Sequence, residues 1–205
     1  MIMNYKYLSH LIENRKLILA SGSPRRVQIL TEAGISFHQI IADIDENNNL
    51  NLHPFDLAVW LSGQKASAVA GKASPDDIIL GCDTIVVLDK QVLGKPLDKE
   101  MAIEMLTALS GRKHTVCSAV VLKSGKEMVG GYELTDVYFR TTSREDIVKY
   151  VETGEPMDKA GAYGIQDIGV FLVDRVTGNI DNVIGMPMTL LERCAGELAL
   201  KLGLI

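Results

Sequence analysis

Leu17-Ile18-Leu19-Ala20-Ser21-Gly22-Ser23-Pro24-Arg25-Arg26 is the stretch on which the reading of this chain turns. Its four leading apolar or small residues predict a short buried strand. Ser21, Gly22 and Ser23 then form a turn, and Pro24 falls at the first position of a helix, where its missing N–H would have no partner anyway. Ser23 stands where its hydroxyl would cap that helix. A strand running into a helix N-terminus leaves unpaired N–H groups at the positive end of the helix dipole, which suits an anion. Two hydroxyls and the adjacent Arg25 and Arg26 occupy the same place. The segment fits a phosphate site, and it fits equally a capped helix with two solvated arginines.

Outward from it, helices and strands intermix, so the class is mixed α/β. Residues 24–33 read as a helix closed by Gly34, 37–41 as a second strand, and the acidic, asparagine-rich 43–52 as an exposed loop. Helical spacing of Phe55, Leu57, Ala58 and Leu61 predicts a helix over 54–70. The apolar run 78–88 is a strong strand, with Asp89-Lys90 turning into residues 91–93. Asp98 caps a helix over 98–109. Two β-rich runs, 113–122 and 128–139, form a long hairpin turning at Ser124-Gly125. Ser143 opens a capped helix through residue 151, 170–176 is another strand, and 188–200 is a closing amphipathic helix. The spacing leaves the strand order open.

At 205 residues, with 47% hydrophobic and 23% charged side chains, the chain has the length and composition of a globular protein with a real core. A net charge of −5 argues against a general nucleic-acid surface, although a nucleotide needs only a locally basic pocket. Cys82, Cys117 and Cys194 are scattered and show neither metal-ligand spacing nor a disulfide framework, which fits a reducing cytoplasm. The four histidines are equally dispersed. Residues 1–16 lack the apolar core of a signal peptide, and no run approaches membrane-spanning length, so no membrane partner is expected.

Asp83 is the first sign of chemistry. It interrupts Ile78-Ile79-Leu80-Gly81-Cys82-Asp83-Thr84-Ile85-Val86-Val87, where a carboxylate is costly unless paired, metal-bound or at an opening in the core. A strand-end Asp satisfied by backbone donors is one reading; a metal ligand or a general base for water is the other. Taken alone, Glu46 belongs to a solvated acidic loop, and Lys65 and Lys95 are surface lysines, although Gly94 and Pro96 constrain the backbone around Lys95. The chain contains neither a Walker A loop nor a G-x-G-x-x-G fingerprint. In the Gly- and Pro-rich segment from Gly154 to Gln166, glycines permit close approach to a ligand, and Gln166 could read a base edge with its amide. A plain loop with good turn chemistry fits that composition as well.

These segments, in this order, resemble the Maf family of nucleoside triphosphate pyrophosphatases. The resemblance runs from about Leu17 to the C-terminal helix. It rests on Ser21-x-Ser23-x-Arg25-Arg26, Gly81-Cys82-Asp83-Thr84, Gly94-Lys95-Pro96, Ser110-Gly111-Arg112, the Gly154–Gln166 segment and Asn182-Val183-Ile184-Gly185-Met186-Pro187. It implies an α/β fold with a twisted central sheet, flanking helices and two lobes around a deep cleft, in a cytoplasmic homodimer. Residues 1–16 would be an N-terminal extension and 17–205 the pyrophosphatase domain. The implied reaction splits a nucleoside triphosphate into monophosphate and pyrophosphate with Mg²⁺ or Mn²⁺, without stable nucleic-acid binding.

Position by position, the resemblance makes Asp83 the acceptor of a proton from the attacking water, with Glu46, Lys65 and Lys95 beside it in the catalytic set. Glu46 and Asp83 would hold the metal. Ser21, Ser23, Arg25 and Arg26 would hold the phosphates, and Arg25, Thr84 and Gln166 would govern substrate choice. The form of residues 158–166 resembles the branch acting on dTTP and UTP, in a role that cleans the nucleotide pool. Cys82 stands where alanine is usual, and Asp167-Ile168 follow Gln166 where glycine is common. Two other readings remain beside this one: a regulatory protein linked to septum formation, and a pyrophosphatase for damaged purines, against which the Gln166 segment argues.

Overall fold

The computed structural model describes residues 5–46 and 50–205. In chain order these form α1 (Lys6–Ile12), β1 (Leu17–Leu19), α2 (Pro24–Glu32), β2 (His38–Gln39), α3 (Pro54–Val69), β3 (Ile78–Leu88) and β4 (Gln91–Leu93). There follow α4 (Lys99–Leu109), β5 (Lys113–Ser124), β6 (Glu127–Phe139), α5 (Arg144–Glu152), β7 (Val173–Thr177), α6 (Ile180–Ile184) and α7 (Met188–Lys201). The chain divides into two units. The first comprises Met1–Asp83, Ser118–Glu133 and Gly185–Ile205; the second comprises Thr84–Cys117 and Leu134–Ile184.

In the first unit the strand order is β2-β1-β3-β5-β6. β1 pairs in parallel with both neighbours, Ile18 lying opposite His38 and Leu17 opposite Ile78. Alternation along the strands sends side chains to two faces, and both faces are covered. Leu17, Leu19, Ile78, Leu80 and Cys82 pack with Leu30 of α2, Leu8 and Leu11 of α1, and Leu191 and Leu198 of α7. Ile18, Ala20, Ile79 and Val121 pack with Ala66 and Val69 of α3. Burial on both faces is why β3 reads as an unbroken apolar run rather than an alternating one. α1 is seated by Glu192 of α7, whose carboxylate accepts from the Tyr7 and Leu8 N–H groups at 2.7 and 3.0 Å.

In the second unit β4 folds back antiparallel on β3, with Val86 opposite Leu93. Asp89 and Lys90 both take positive φ, 49° and 72°, as a two-residue hairpin turn requires. β7 pairs antiparallel with β6, with a register shift at Tyr138/Phe139. The core here joins Ala102, Leu106 and Leu109 of α4, Ile147, Tyr150 and Val151 of α5, and Val86, Val116, Val137 and Phe139 of the strands.

His114 lies in that core at 2% exposure, its Nε2 2.8 Å from Tyr163 Oη and its Nδ1 without a partner among the described residues. Burial pushes its imidazole down from 6.5 to about 4. A histidine buried neutral binds its proton more readily in the unfolded chain, so stability is full above pH 6.5 and drains as pH falls toward 4. The expected loss is about 3 kcal/mol. Urea unfolding at both pH values should show it, and the His114→Phe protein should lose much less over that interval. An equal loss in both proteins would count against this role.

Several sequence expectations are corrected. The expected strand 37–41 is only His38–Gln39, and the strand expected from residue 170 begins at Val173 because Ile168–Leu172 winds into a 3-10 turn. The β5–β6 hairpin turns at Gly125 and Lys126, one position later than expected. α1 and α6 were not expected at all. Of the expected acidic loop, residues 47–49 lie outside the described residues. Cys82, Cys117 and Cys194 are all buried, and among the described residues none forms a disulfide. Among the described residues, no helix is long and apolar enough to cross a membrane.

Candidate active site

The first unit gathers three of the expected catalytic side chains. Asp83 sits on β3 at 7% exposure and Lys65 on α3 at 9%. Lys65 Nζ lies 2.6 Å from Asp83 Oδ1 and 2.7 Å from Glu46 Oε1, so one buried ammonium joins two carboxylates. Glu46 itself is exposed, in the irregular segment after β2. Burial pushes the Asp83 carboxyl above its ordinary range, against the pull of Lys65 and then of Arg26 in the opposite direction.

A glycine makes this meeting possible. A Cβ on Gly81 would lie 2.0 Å from the Ser62 carbonyl oxygen and 3.0 Å from the Ala66 amide nitrogen. β3 therefore touches the backbone of α3 at Gly81, which brings the Lys65 turn of the helix down onto the strand two residues before Asp83. The single Ser62 hydroxyl proton is shared between the Ala58 carbonyl of its own helix at 2.8 Å and the Ala119 carbonyl of β5 at 3.2 Å, and the second contact holds the helix inward.

The β1–α2 turn is organised around Ser21 and Arg26, both buried. Arg26 donates from Nη1 to Ser21 Oγ at 2.8 Å and to the Cys82 carbonyl at 2.9 Å, and from Nε to the Gly185 carbonyl at 2.9 Å. Its guanidinium thus ties the turn to β3, beside Asp83, and to the segment leading into α7. The expectation that Ser23 caps α2 is corrected: its side chain makes no cap hydrogen bond, and its N–H instead donates to Ser21 Oγ at 3.3 Å. Ser21 Oγ takes two donors, and the Gln39 amide holds the Ser21 carbonyl at 2.8 Å. Arg25 is half-buried in the first turn of α2.

Cys82, between Gly81 and Asp83, contacts Met186 Sδ at 3.7 Å, and burial pushes its thiol up to about 11. It is a neutral packing group rather than a nucleophile.

The remaining expected residues belong to the second unit. Thr84 follows Asp83 on β3, so its side chain leaves on the opposite face of the strand. Lys95 is exposed between β4 and α4, beside Gly94, whose carbonyl accepts from the Gly161 N–H at 3.0 Å. Gln166 is exposed in the segment between Tyr163 and the 3-10 turn Ile168–Leu172.

Oxygen donors alone are offered for a cation at Asp83 and Glu46. Among the described residues no group of three or more His, Cys, Asp or Glu side chains could hold a metal. Two carboxylates that already share one ammonium, with further oxygens from a phosphate chain and water, fit Mg²⁺ or Mn²⁺, which are bound in that partial manner beside phosphates.

A sequence profile described as Maf-like protein matches residues 16–198. The chain belongs to the Maf family. Among curated members it is 47% identical over 180 residues to a dTTP/UTP pyrophosphatase of Desulfitobacterium hafniense, a match covering 85% of this chain and 81% of that one. Proteins of the same name from Bacillus cytotoxicus and Shigella boydii are 43% and 44% identical, covering 87% and 84% of this chain and 93% and 87% of theirs. Of solved structures, protein VC0702 from Vibrio cholerae aligns over 92% of this chain and 94% of its own with a TM-score of 0.43 and 8% identity, a distance from which nothing about function follows.

Within this Maf chain, sequence reasoning missed Gly81 as the contact that seats Lys65, and Arg26 as a brace. The glycine had a signal, since a glycine inside an apolar strand marks close approach of another backbone. Arg26 had none, because the contacts that brace it against the rest of the unit are to the Cys82 and Gly185 carbonyls, both distant in sequence.

Proposed function

We infer that this Maf-family chain is a nucleoside triphosphate pyrophosphatase that hydrolyses dTTP and UTP to the monophosphate and pyrophosphate, cleaning the nucleotide pool. One observation carries the reading: the buried Asp83 held by Lys65, with Glu46 on the same ammonium. A binding or regulatory protein has no need of so costly an arrangement, whereas a water-activating base needs a fixed carboxylate with a raised proton affinity. The substrate follows from the three relatives, each named for dTTP and UTP.

In this reading Asp83 accepts a proton from water as its oxygen bonds to the α-phosphorus. The bridging oxygen between the α and β phosphates leaves with the bonding pair, as pyrophosphate. Lys65 holds the Asp83 carboxylate in place and keeps Glu46 beside it. Ser21, Ser23 and Arg25 bind phosphate oxygens together with the N-terminus of α2. Arg26 fixes Ser21 and adds positive charge to the turn. Lys95 takes the charge that grows on the leaving pyrophosphate, an interaction that strengthens in the transition state. A divalent cation held by Asp83 and Glu46 supplies charge neutralisation on the phosphate chain when bound. Gln166, with Thr84 and Arg25, selects the substrate. The proposal places the pyrophosphatase domain at 17–205 with 1–16 as an extension before it, in a cytoplasmic homodimer; light scattering tests the dimer.

The deciding experiment is pyrophosphate release from a panel of nucleoside triphosphates with Mg²⁺ or Mn²⁺. Activity concentrated on dTTP and UTP supports the reading, and no activity on any nucleotide from folded protein overturns it. In the same assay Arg25→Ala should lower kcat/KM by about 10²-fold, as loss of one charge-assisted phosphate contact does. An Arg25→Ala enzyme with wild-type kinetics on every substrate removes Arg25 from the site.

A further inference from the structure

In the second unit the backbone on either side of Gln166 is gripped by two side chains. Two residues before it, the Gly164 N–H donates to Tyr150 Oη at 3.1 Å. After it, the Ile168 N–H donates to Glu155 Oε2 at 3.0 Å and the Gly169 N–H to Glu155 Oε1 at 3.4 Å. Tyr150 closes the grip, its hydroxyl donating to Glu155 Oε1 at 3.0 Å. The phenol thus gives one hydrogen bond and takes another, and burial keeps it protonated by pushing its ionisation well above the usual range.

The packing leaves little slack. A Cβ on Gly164 would lie 2.8 Å from Lys159 Cε and 2.9 Å from Glu155 Oε1; on Gly169 it would lie 2.5 Å from Tyr150 Oη and from the Gly164 carbonyl. Lys159, itself buried, donates from Nζ to the Glu155 carbonyl at 2.7 Å and to Asp158 Oδ1 at 2.8 Å, which fixes the backbone from which Glu155 projects. Upstream, Ala162 holds a φ of 61°, a left-handed conformation that a residue with a Cβ keeps only where its surroundings enforce it.

We propose that Tyr150 and Glu155 are positioning residues for base selection: by holding Gly164, Ile168 and Gly169 they fix how far the Gln166 amide reaches. The proposal rests on the reading of Gln166 given above. Uracil and thymine present a ring N–H beside a carbonyl, which an amide matches with its own carbonyl and NH₂. Guanine presents the same N–H and carbonyl, but on the outer ring of a purine, farther from the sugar. Hydrogen-bond pattern alone therefore does not separate UTP from GTP; reach does. A turn anchored within three residues on both sides sets that reach, whereas a loose one follows either edge.

The test is kcat/KM for UTP and GTP in the wild type, Tyr150→Phe, Glu155→Gln, Gln166→Ala and the Tyr150→Phe/Gln166→Ala double variant. The UTP-to-GTP ratio should fall about tenfold in Tyr150→Phe and in Glu155→Gln, chiefly through a higher KM for UTP. In the double variant it should fall no further than in Gln166→Ala, because the amide being positioned is gone. Equal losses on UTP and GTP, or an additional loss in the double variant, would mean a merely structural role and overturn the proposal. A wild-type ratio in Gln166→Ala would instead overturn the reading of Gln166, and the proposal with it. If Tyr150→Phe and Glu155→Gln do not fold, amide hydrogen exchange of the wild type decides: protection at Gly164, Ile168 and Gly169 is expected, and exchange at unfolded-chain rates there overturns the clamp.

Discussion

Asp83→Asn is expected to lower kcat for pyrophosphate release by about 10³- to 10⁴-fold with the fold intact. Asparagine has nearly the shape of aspartate but does not accept a proton at neutral pH, so the water loses its base while the packing of β3 survives. The charge balance around it also survives. Lys65 keeps Glu46 at 2.7 Å, so its ammonium is not stranded in the interior. The neutral amide removes a buried charge that burial already disfavours. The unfolding midpoint should therefore stay near that of the wild type, and a non-hydrolysable dUTP analogue should bind within a few-fold of it when no divalent cation is added, as roughly isosteric replacements allow. Retention of more than about a tenth of wild-type kcat would take the general base away from Asp83. Loss of nucleotide binding together with turnover would make the carboxylate a ligand-holding group first.

Asp83 was legible because a carboxylate in an apolar run has few inexpensive explanations. The ends of β3 were legible for a related reason: a strand buried on both faces writes itself as a continuous run, and the structure gives it as Ile78–Leu88. Helix caps were readable where the side chain acts on its own helix. Asp98 Oδ1 accepts from the Met101 N–H at 2.7 Å, and Ser143 Oγ from the Asp146 N–H at 3.2 Å. Ser23 reads the same way but does not cap, because the turn before it is organised by Arg26 and Ser21, and that competition comes from groups at Cys82 and Gly185. β2 shrank to two residues, and β7 began late, where local propensity met an edge and a 3-10 turn. Lys65 shows the limit most plainly. Its own helix gives no reason to bury it; the reason is a glycine on a strand some sixteen residues later in the chain. Tyr150 and Glu155 act across up to fourteen residues on groups that are backbone, and backbone leaves no trace in composition.

Gly81→Ala is expected to destabilise the protein by about 3 kcal/mol, near the upper end of ordinary overpacking, and to lower kcat/KM by about 10²-fold. The new methyl group would be placed 2.0 Å from the Ser62 carbonyl oxygen, and that oxygen is helix backbone, which does not rotate away as a flexible side chain would. Something must move. The Ser62 hydroxyl also reaches the Ala119 carbonyl of β5, so displacing Ser62 costs that contact or shifts α3 as a body. A shifted α3 carries Lys65 away from Asp83 and Glu46 together, which joins the stability loss to the activity loss through one contact. Gly63 provides the control. It lies on the same helix, where a Cβ would meet, among the described residues, only Met128 Sδ at 3.6 Å. Gly63→Ala should therefore keep activity and raise stability by up to about 1 kcal/mol, the helix preference for alanine over glycine. Thermal unfolding and UTP hydrolysis on the two variants separate the cases: a lower midpoint and lower activity for Gly81→Ala alone is the expected pattern. A Gly81→Ala protein as stable as wild type yet inactive would show that the strand, not the helix, gave way. Full activity in a destabilised Gly81→Ala protein would show that Lys65 reaches Asp83 without the close approach of helix and strand.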